Sequence, residues 1–263
     1  MLTISSVSKT FFAGTVNERR ALRGVDLHLA EGDFVTVIGS NGAGKSTVLN
    51  IVSGDLFPDE GTVTIDGRDV TKLQDHQRAA FVGRVFQDPM AGTAPHLTIE
   101  ENMAIADRRG RPRRLATGVT RSKRSRFADE LATLELGLEN RLKAKVGLLS
   151  GGQRQALSLL MATFSDPKIL LLDEHTAALD PQRADLVTRL TRQVVEDKGL
   201  TTLMVTHNME QALRVGNRLI MMHEGQIILD LTEEEKRGRT VKDLLGEFEK
   251  IKGATIDDKT LLQ

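Results

Sequence analysis

Cysteine is absent from the 263-residue chain, which excludes a disulfide framework, a Cys-ligated zinc and a thiol nucleophile, and is compatible with a reducing compartment. Net charge is absent too. Thirty-six lysines and arginines balance 36 aspartates and glutamates, so no global field gathers nucleic acid or an anionic membrane, and no nucleic-acid partner is expected. Long apolar runs are also missing: the longest candidates, residues 169–172 and 219–222, fall far short of the roughly 20 residues that cross a bilayer. The start, Met1-Leu2-Thr3-Ile4, lacks the charged-then-apolar layout of a secretion signal. These absences lead to the expectation of a cytoplasmic chain that does not cross a membrane. What is present, 40% apolar and 27% charged residues, is ordinary for a globular protein of one large α/β domain or a domain with a smaller lobe.

Along the chain, short β-rich segments come first, at residues 2–7, 22–29, 34–38 and 62–65, separated by turn-formers such as Glu31-Gly32-Asp33 and Asp66-Gly67. After Asp88-Pro89 the spacing becomes helical, with Ile99, Met103 and Ala106 on one face and Phe127, Leu131, Leu134 and Leu138 on another. From Ile169 onward apolar strands (169–172, 202–206, 218–222) alternate with amphipathic helices (184–195 and from Met209), the pattern of a parallel sheet covered by helices. Val241, Leu244, Leu245, Phe248 and Ile251 then repeat at helical spacing ahead of a loosely held tail.

Three local patterns carry chemistry. Gly39-Ser40-Asn41-Gly42-Ala43-Gly44-Lys45-Ser46-Thr47 follows a strand and opens a helix at about Ser46, the context a phosphate-binding loop requires. Glycines let the backbone curl so that N–H groups converge on a β-phosphate, Lys45 bridges β- and γ-oxygens, the Ser46 hydroxyl ligates Mg²⁺, and Thr47 adds a contact at the helix start. Residues 169–174, Ile-Leu-Leu-Leu-Asp-Glu, are an apolar run delivering two carboxylates to the carboxyl edge of a sheet, where ligands bind. Asp173 is suited to holding Mg²⁺ and Glu174 to polarising an attacking water. Leu149-Ser150-Gly151-Gly152-Gln153 precedes a helical run at 156–162, so Ser150 is placed as an N-cap and the glycines expose N–H groups at a positive helix end.

These patterns, with Gln87, Ala178-Leu179-Asp180 and His207 after a strand, occur in the order and approximate spacing found in ATP-binding-cassette (ABC) ATPases, which the chain resembles over residues 1–232. The resemblance implies a P-loop NTPase of ABC-ATPase fold, α/β with a mixed sheet core, an N-terminal antiparallel β-subdomain and an inserted α-helical subdomain. It implies a RecA-like core with its β-subdomain at 1–87 and 166–232, the helical subdomain at 88–165, and a C-terminal helix and tail at 233–263. Phe11 looks like the aromatic that stacks on adenine, with Phe12 as the fallback. Gln87 resembles the glutamine that ligates Mg²⁺ and the attacking water, and His207 the switch histidine on γ-phosphate. Asp180 resembles the residue that arranges the opposite subunit's site.

In that family two subunits sandwich two ATPs, one phosphate loop facing the Ser150-Gly151-Gly152 cradle of the other. The implied cofactors are ATP and Mg²⁺. The implied partners are a second cassette, a separate membrane permease whose inner face holds the chain, and an extracytoplasmic solute-binding protein. Two departures are visible: His175 stands where a proline commonly follows the glutamate, and Ala156 where an arginine commonly follows the signature.

The leading expectation is ATP hydrolysis coupled to transport, uptake before export, of amino acids or similar small solutes. Rival readings are a soluble single-cassette ATPase serving complex or cofactor assembly, and a nucleotide-sensing regulatory subunit, against which Glu174 argues. Residues 108–126 hold nine arginines and lysines and no acid. They read as a surface loop, either contacting an acidic partner or lipid headgroups or simply solvated.

Overall fold

The computed structural model describes residues 1–111 and 117–252. The chain divides into two compact units, Met1–Arg78 with the described residues from Leu200 onward, and Ala79–Gly199. The first unit begins with an antiparallel ribbon of β1 (Leu2–Phe11) and β2 (Arg19–Leu29). In β2 the buried Val25, Leu27 and Leu29 alternate with exposed Asp26 and His28, the period of a strand with one covered face. β3 (Phe34–Gly39) is buried at every position, as a central strand covered on both faces must be. Then come α1 (Lys45–Ser53), β4 (Glu60–Ile65), β5 (Arg68–Asp69) and α2 (Asp75–Arg78). The first sheet runs in the order β2-β1-β4-β5. Arg78 is fully buried, and its guanidinium donates to the carbonyls of Ile51, Val52, Thr71 and Leu73. Two of those carbonyls lie in the last turn of α1, where intrahelical donors run out, and Arg78 supplies donors to them.

The second unit holds β6 (Val82–Val85), α3 (Ile99–Asp107), α4 (Arg121–Ala132), α5 (Gly151–Thr163), β7 (Ile169–Asp173) and α6 (Pro181–Lys198). β6 and β7 pair in parallel. Thr98 and Glu101 form a reciprocal capping box at the start of α3, and Ile99, Met103 and Ala106 are buried.

The expected single helical face through Leu138 is interrupted: α4 carries Phe127 and Leu131, while Leu134 and Leu138 lie beyond its end, although all four are buried. α4 ends at Ala132, and Glu135 and Gly137 just beyond it adopt left-handed backbone angles (φ 53 and 69) that keep the helix from resuming.

The basic segment also differs from the expected loop. Arg121, Lys123, Arg124 and Arg126 lie on α4, which Thr120 caps through Lys123 N–H, and the last three use their charges within the unit. Arg124 pairs with Glu100 at 2.6 Å and Lys123 with the buried Asp107 at 2.9 Å, while Arg126 bonds Asp107 and Arg111 adds an ion pair to it at 3.6 Å. Burial alone would raise the Asp107 pKa, but Lys123 and Arg126 override it and hold the carboxyl below its ordinary value. Arg113 and Arg114 lie outside the described residues.

Returning to the first unit, the chain adds β8 (Thr201–Val205), α7 (Met209–Arg214), β9 (Arg218–His223), β10 (Gln226–Leu231), α8 (Glu233–Lys236) and α9 (Val241–Lys252). β3 lies between β9 and β8, parallel to both, and β10 closes the edge antiparallel to β9, so the arrangement is mixed rather than purely parallel. α9 sets Leu244 and Phe248 into a cluster with Ile38, Leu219 and Met221, the Phe248 ring standing edge-on to His223 at 5.2 Å. Ile251 lies beyond the residues whose side chains are described, as does the tail expected at 253–263.

Candidate functional site

The phosphate loop is built by close approach. Gly39 ends β3 with φ 148, and a Cβ there would stand 2.1 Å from the carbonyl oxygen of Met222 on β9. At Gly44, φ 101, a Cβ would meet the Ala21 carbonyl oxygen at 2.6 Å. No other residue type fits either position without displacing backbone. Ala43 N–H donates to Ser40 O at 3.1 Å, closing the turn, and Ala43 O accepts from Gly225 N–H at 3.0 Å, which fastens the loop to the β9–β10 hairpin.

The Lys45 side chain is buried and curls over its own loop, its ammonium donating to Gly39 O at 2.7 Å and Ser40 O at 3.1 Å. Ser40 and Thr47 are half-buried, whereas Asn41, Gly42 and Ser46 are exposed. α1 begins at Lys45 with Gly44 as its N-cap and no side-chain acceptor for its first N–H groups. α3, α4, α5, α6, α7 and α8 all receive such an acceptor from Thr, Ser, Asp or Asn. Uncapped N–H groups, a buried ammonium and a glycine cradle form a donor set that fits the phosphates of a nucleotide.

In the same unit Phe11 ends β1 half-buried, and Phe12, next in sequence, is exposed with a left-handed φ of 51. His207 is half-buried between β8 and α7. Its neighbours lock that junction: Thr206 donates to Gln211 Oε1 at 2.8 Å, and Asn208 caps α7 through Gln211 N–H at 2.8 Å.

The second unit carries the acids. Asp173 closes β7 and accepts from Arg84 Nη2 of β6 at 3.0 Å, a pair the sequence reading did not include. Arg84 in turn stacks over Phe86 at 4.7 Å. Glu174 turns the chain away from the strand at φ 46, a left-handed angle costing a non-glycine residue roughly 1–2 kcal/mol.

His175, the first departure from the family pattern, is buried next to it, with Nε2 2.9 Å from Thr191 Oγ1 on α6. The Thr191 hydroxyl donates to Val187 O at 2.8 Å. It therefore accepts from the imidazole, so Nε2 carries the proton and the turn bearing Glu174 is tied to α6. Burial lowers the His175 pKa from 6.5 to about 4. As pH falls, the unfolded chain takes up this proton first. The stability contribution is complete above about pH 6.5 and is lost progressively between about 6.5 and 4. His175→Gln, which keeps an N–H donor for Thr191, is expected to flatten the acid limb of the stability profile in that window by up to about 3 kcal/mol. Urea unfolding measured across that pH range checks this, and an unchanged acid limb would contradict it.

Ser150 is the N-cap of α5, its side chain accepting from Gln153 N–H while Gln153 Oε1 accepts from Ser150 N–H. Gly151 lies against Leu179, a Cβ there reaching Leu179 Cδ2 at 3.2 Å, and Gly152 lies against Arg183. Asp180 caps α6 through Arg183 N–H at 3.1 Å, so the signature helix start and Asp180 are neighbours. Gln87 is exposed just past β6. The buried Gln155 of α5 donates to the carbonyl of Phe86 at 3.1 Å, linking the signature helix to the residue before Gln87; only the structure reveals this tie. Ala156, the second departure, is fully buried in α5.

A family model described as ABC transporter matches residues 22–177, more than half of the chain. The chain belongs to the ABC transporter family. This cassette is 44% identical to the tyrosine transport ATP-binding protein of Clostridioides difficile over 249 residues, covering 95% of the chain and 99% of the relative. It is 34% identical to the methionine import ATP-binding protein MetN of Streptomyces avermitilis, covering all of the chain and 75% of the relative. Among solved structures, the ATP-binding cassette MJ0796, dimeric in a post-hydrolysis state with ADP and Pi, matches with a TM-score of 0.75 and 32% identity, covering 89% of this cassette and 99% of that one. MJ1267, a cassette in its ADP conformation, matches with a TM-score of 0.77 and 27% identity over 94% and 98%. The fold is that of the ABC cassettes, and MJ0796 is bound to ADP and Pi.

Proposed function

We propose that the chain is the ATP-hydrolysing subunit of an import system for amino acids or similar small solutes, acting through a separate permease. The observation that carries this reading is end-to-end similarity to a tyrosine transport ATP-binding protein, together with similarity to a methionine import protein. Among the described residues no helix is long and apolar enough to cross a membrane, which agrees with a permease on another chain. A solute-binding protein outside the membrane completes the proposed system, and the chain sits on the inner face of the membrane through the permease.

Bound Mg-ATP supplies the phosphoanhydride whose cleavage releases energy. In the proposed division of labour, the N–H groups of residues 39–47 and the Lys45 ammonium hold the β- and γ-phosphates. Ser46, Gln87 and Asp173 hold Mg²⁺, hard oxygen ligands suiting a hard cation. Glu174 accepts the proton of the attacking water, and His207 contacts the γ-phosphate. Phe11 stacks on adenine. Ser150, Gly151, Gly152 and Gln153 of a paired copy face the phosphate tail from the opposite side, with Asp180 supporting that arrangement. Phosphate charge shared by donors from two chains favours the closed pair, and hydrolysis releases it.

Lys45→Ala is expected to weaken ATP binding about tenfold or more, because it removes a charged donor from a buried position beside the cradle. Equilibrium titration with ATP checks this, and unaltered affinity would contradict the loop's assignment. Recovery of the chain from membranes together with a multi-span permease tests the transport reading, whereas recovery only in soluble complexes would overturn it.

A further inference from the structure

We propose that Arg19 is a nucleotide-binding residue that contacts the α-phosphate, a role that rests on the nucleotide site described above. In the β1–β2 ladder Arg19 stands directly opposite Phe11, so the two side chains share one face of the ribbon within about 5.5 Å at Cβ. From there the guanidinium reaches the phosphate loop: Arg19 Nη2 donates to Gly42 O at 3.1 Å. The approach is close enough that a Cβ on Gly42 would fall 2.3 Å from Nη2. One side chain thus spans from the aromatic assigned to the base to the loop assigned to the phosphates.

A nucleotide laid between those two features must carry its ribose and α-phosphate past this guanidinium. The bond to Gly42 engages one of five N–H donors. Among the described residues no carboxylate lies within ion-pair distance of Arg19, whereas its neighbour Arg20 has Glu18 at 3.9 Å. Arg19 is exposed on the strand, and its planar fork matches the geometry of a phosphate better than a lysine does. The α-phosphate is assigned rather than the γ-phosphate because it is the one bonded to the nucleoside, and Phe11 is the strand partner of Arg19.

Equilibrium binding of ATP, ADP and inorganic pyrophosphate to the full chain and to Arg19→Ala tests this. The variant is expected to weaken ATP and ADP by the same factor, about tenfold, and to leave pyrophosphate, which lacks an α-phosphate, within about twofold. Arg19→Lys is expected to fall between the two. Unchanged ATP and ADP affinity would overturn the proposal. So would an equal loss for pyrophosphate, since Arg19 would then only hold the loop in shape, and so would a loss confined to ATP, which would place the contact at the γ-phosphate. Lys45→Ala, measured alongside, separates failure of this proposal from failure of the phosphate-loop reading, because only the latter predicts intact ATP binding in that variant.

Discussion

Glu174→Gln is expected to lower ATP turnover by about a hundredfold or more while changing ATP affinity less than about twofold. Glu174 is the first residue beyond β7, where a parallel strand delivers side chains to the ligand-binding edge of a sheet. Its left-handed φ of 46 is a local strain held in place by its surroundings: Ala177 N–H donates to Glu174 O at 2.9 Å, and His175 is anchored to Thr191. Glutamine has the same shape and fits the same backbone, so the turn survives and only the proton acceptor is removed. Loss of turnover with preserved binding therefore reports on chemistry rather than folding. Turnover within a few-fold of the parent protein, measured as phosphate release at saturating ATP, would contradict the assignment.

Arg78→Met is expected to destabilise the protein by about 3–5 kcal/mol. The guanidinium is fully buried and donates to four backbone carbonyls, two of them at the end of α1. Methionine preserves much of the volume and leaves those carbonyls in an apolar interior without donors. Burial pulls the Arg78 pKa below its ordinary value, and Asp69 and Asp55 act against that pull. The loss should appear as a fall in Tm of about 10 °C or more. Because the proposed phosphate cradle lies at the N-terminus of α1, bound ATP should recover part of the loss. A variant melting within about 2 °C of the parent protein would show that those carbonyls find other donors.

The features legible in the sequence were those written in local spacing. The strand, glycine loop and helix around Lys45, the apolar run into Asp173 and the Ser150 helix start each depend on residues within one short segment, and each forms in the structure. Period alone did not reveal where α4 ends, because Leu134 and Leu138 stay buried beyond its last residue, Ala132, one on each side of the left-handed Glu135 and Gly137. The edge strand β10 and the short β6 were not read at all, β10 because it is half-covered and follows a hairpin turn at Glu224 and Gly225.

Contacts between distant positions were invisible for the same reason. Arg84 and Asp173 are 89 residues apart, Gln155 and Phe86 are 69 apart, and Arg19 and Gly42 are 23 apart. Part of the basic segment that read as a surface loop, touching a partner or simply solvated, forms ion pairs through Lys123, Arg124 and Arg126, whose partners Glu100 and Asp107 precede it in sequence on a different helix.

In the proposed pair, a triphosphate is shared between the Lys45 loop of one copy and the Ser150 helix end of another. Light scattering of Glu174→Gln with and without ATP tests it most directly. A monomer without nucleotide and a doubling of mass when ATP is added, reversed when the nucleotide is removed, are the expected results. A chain that stays monomeric at saturating ATP, or that pairs equally well without it, would contradict the claim.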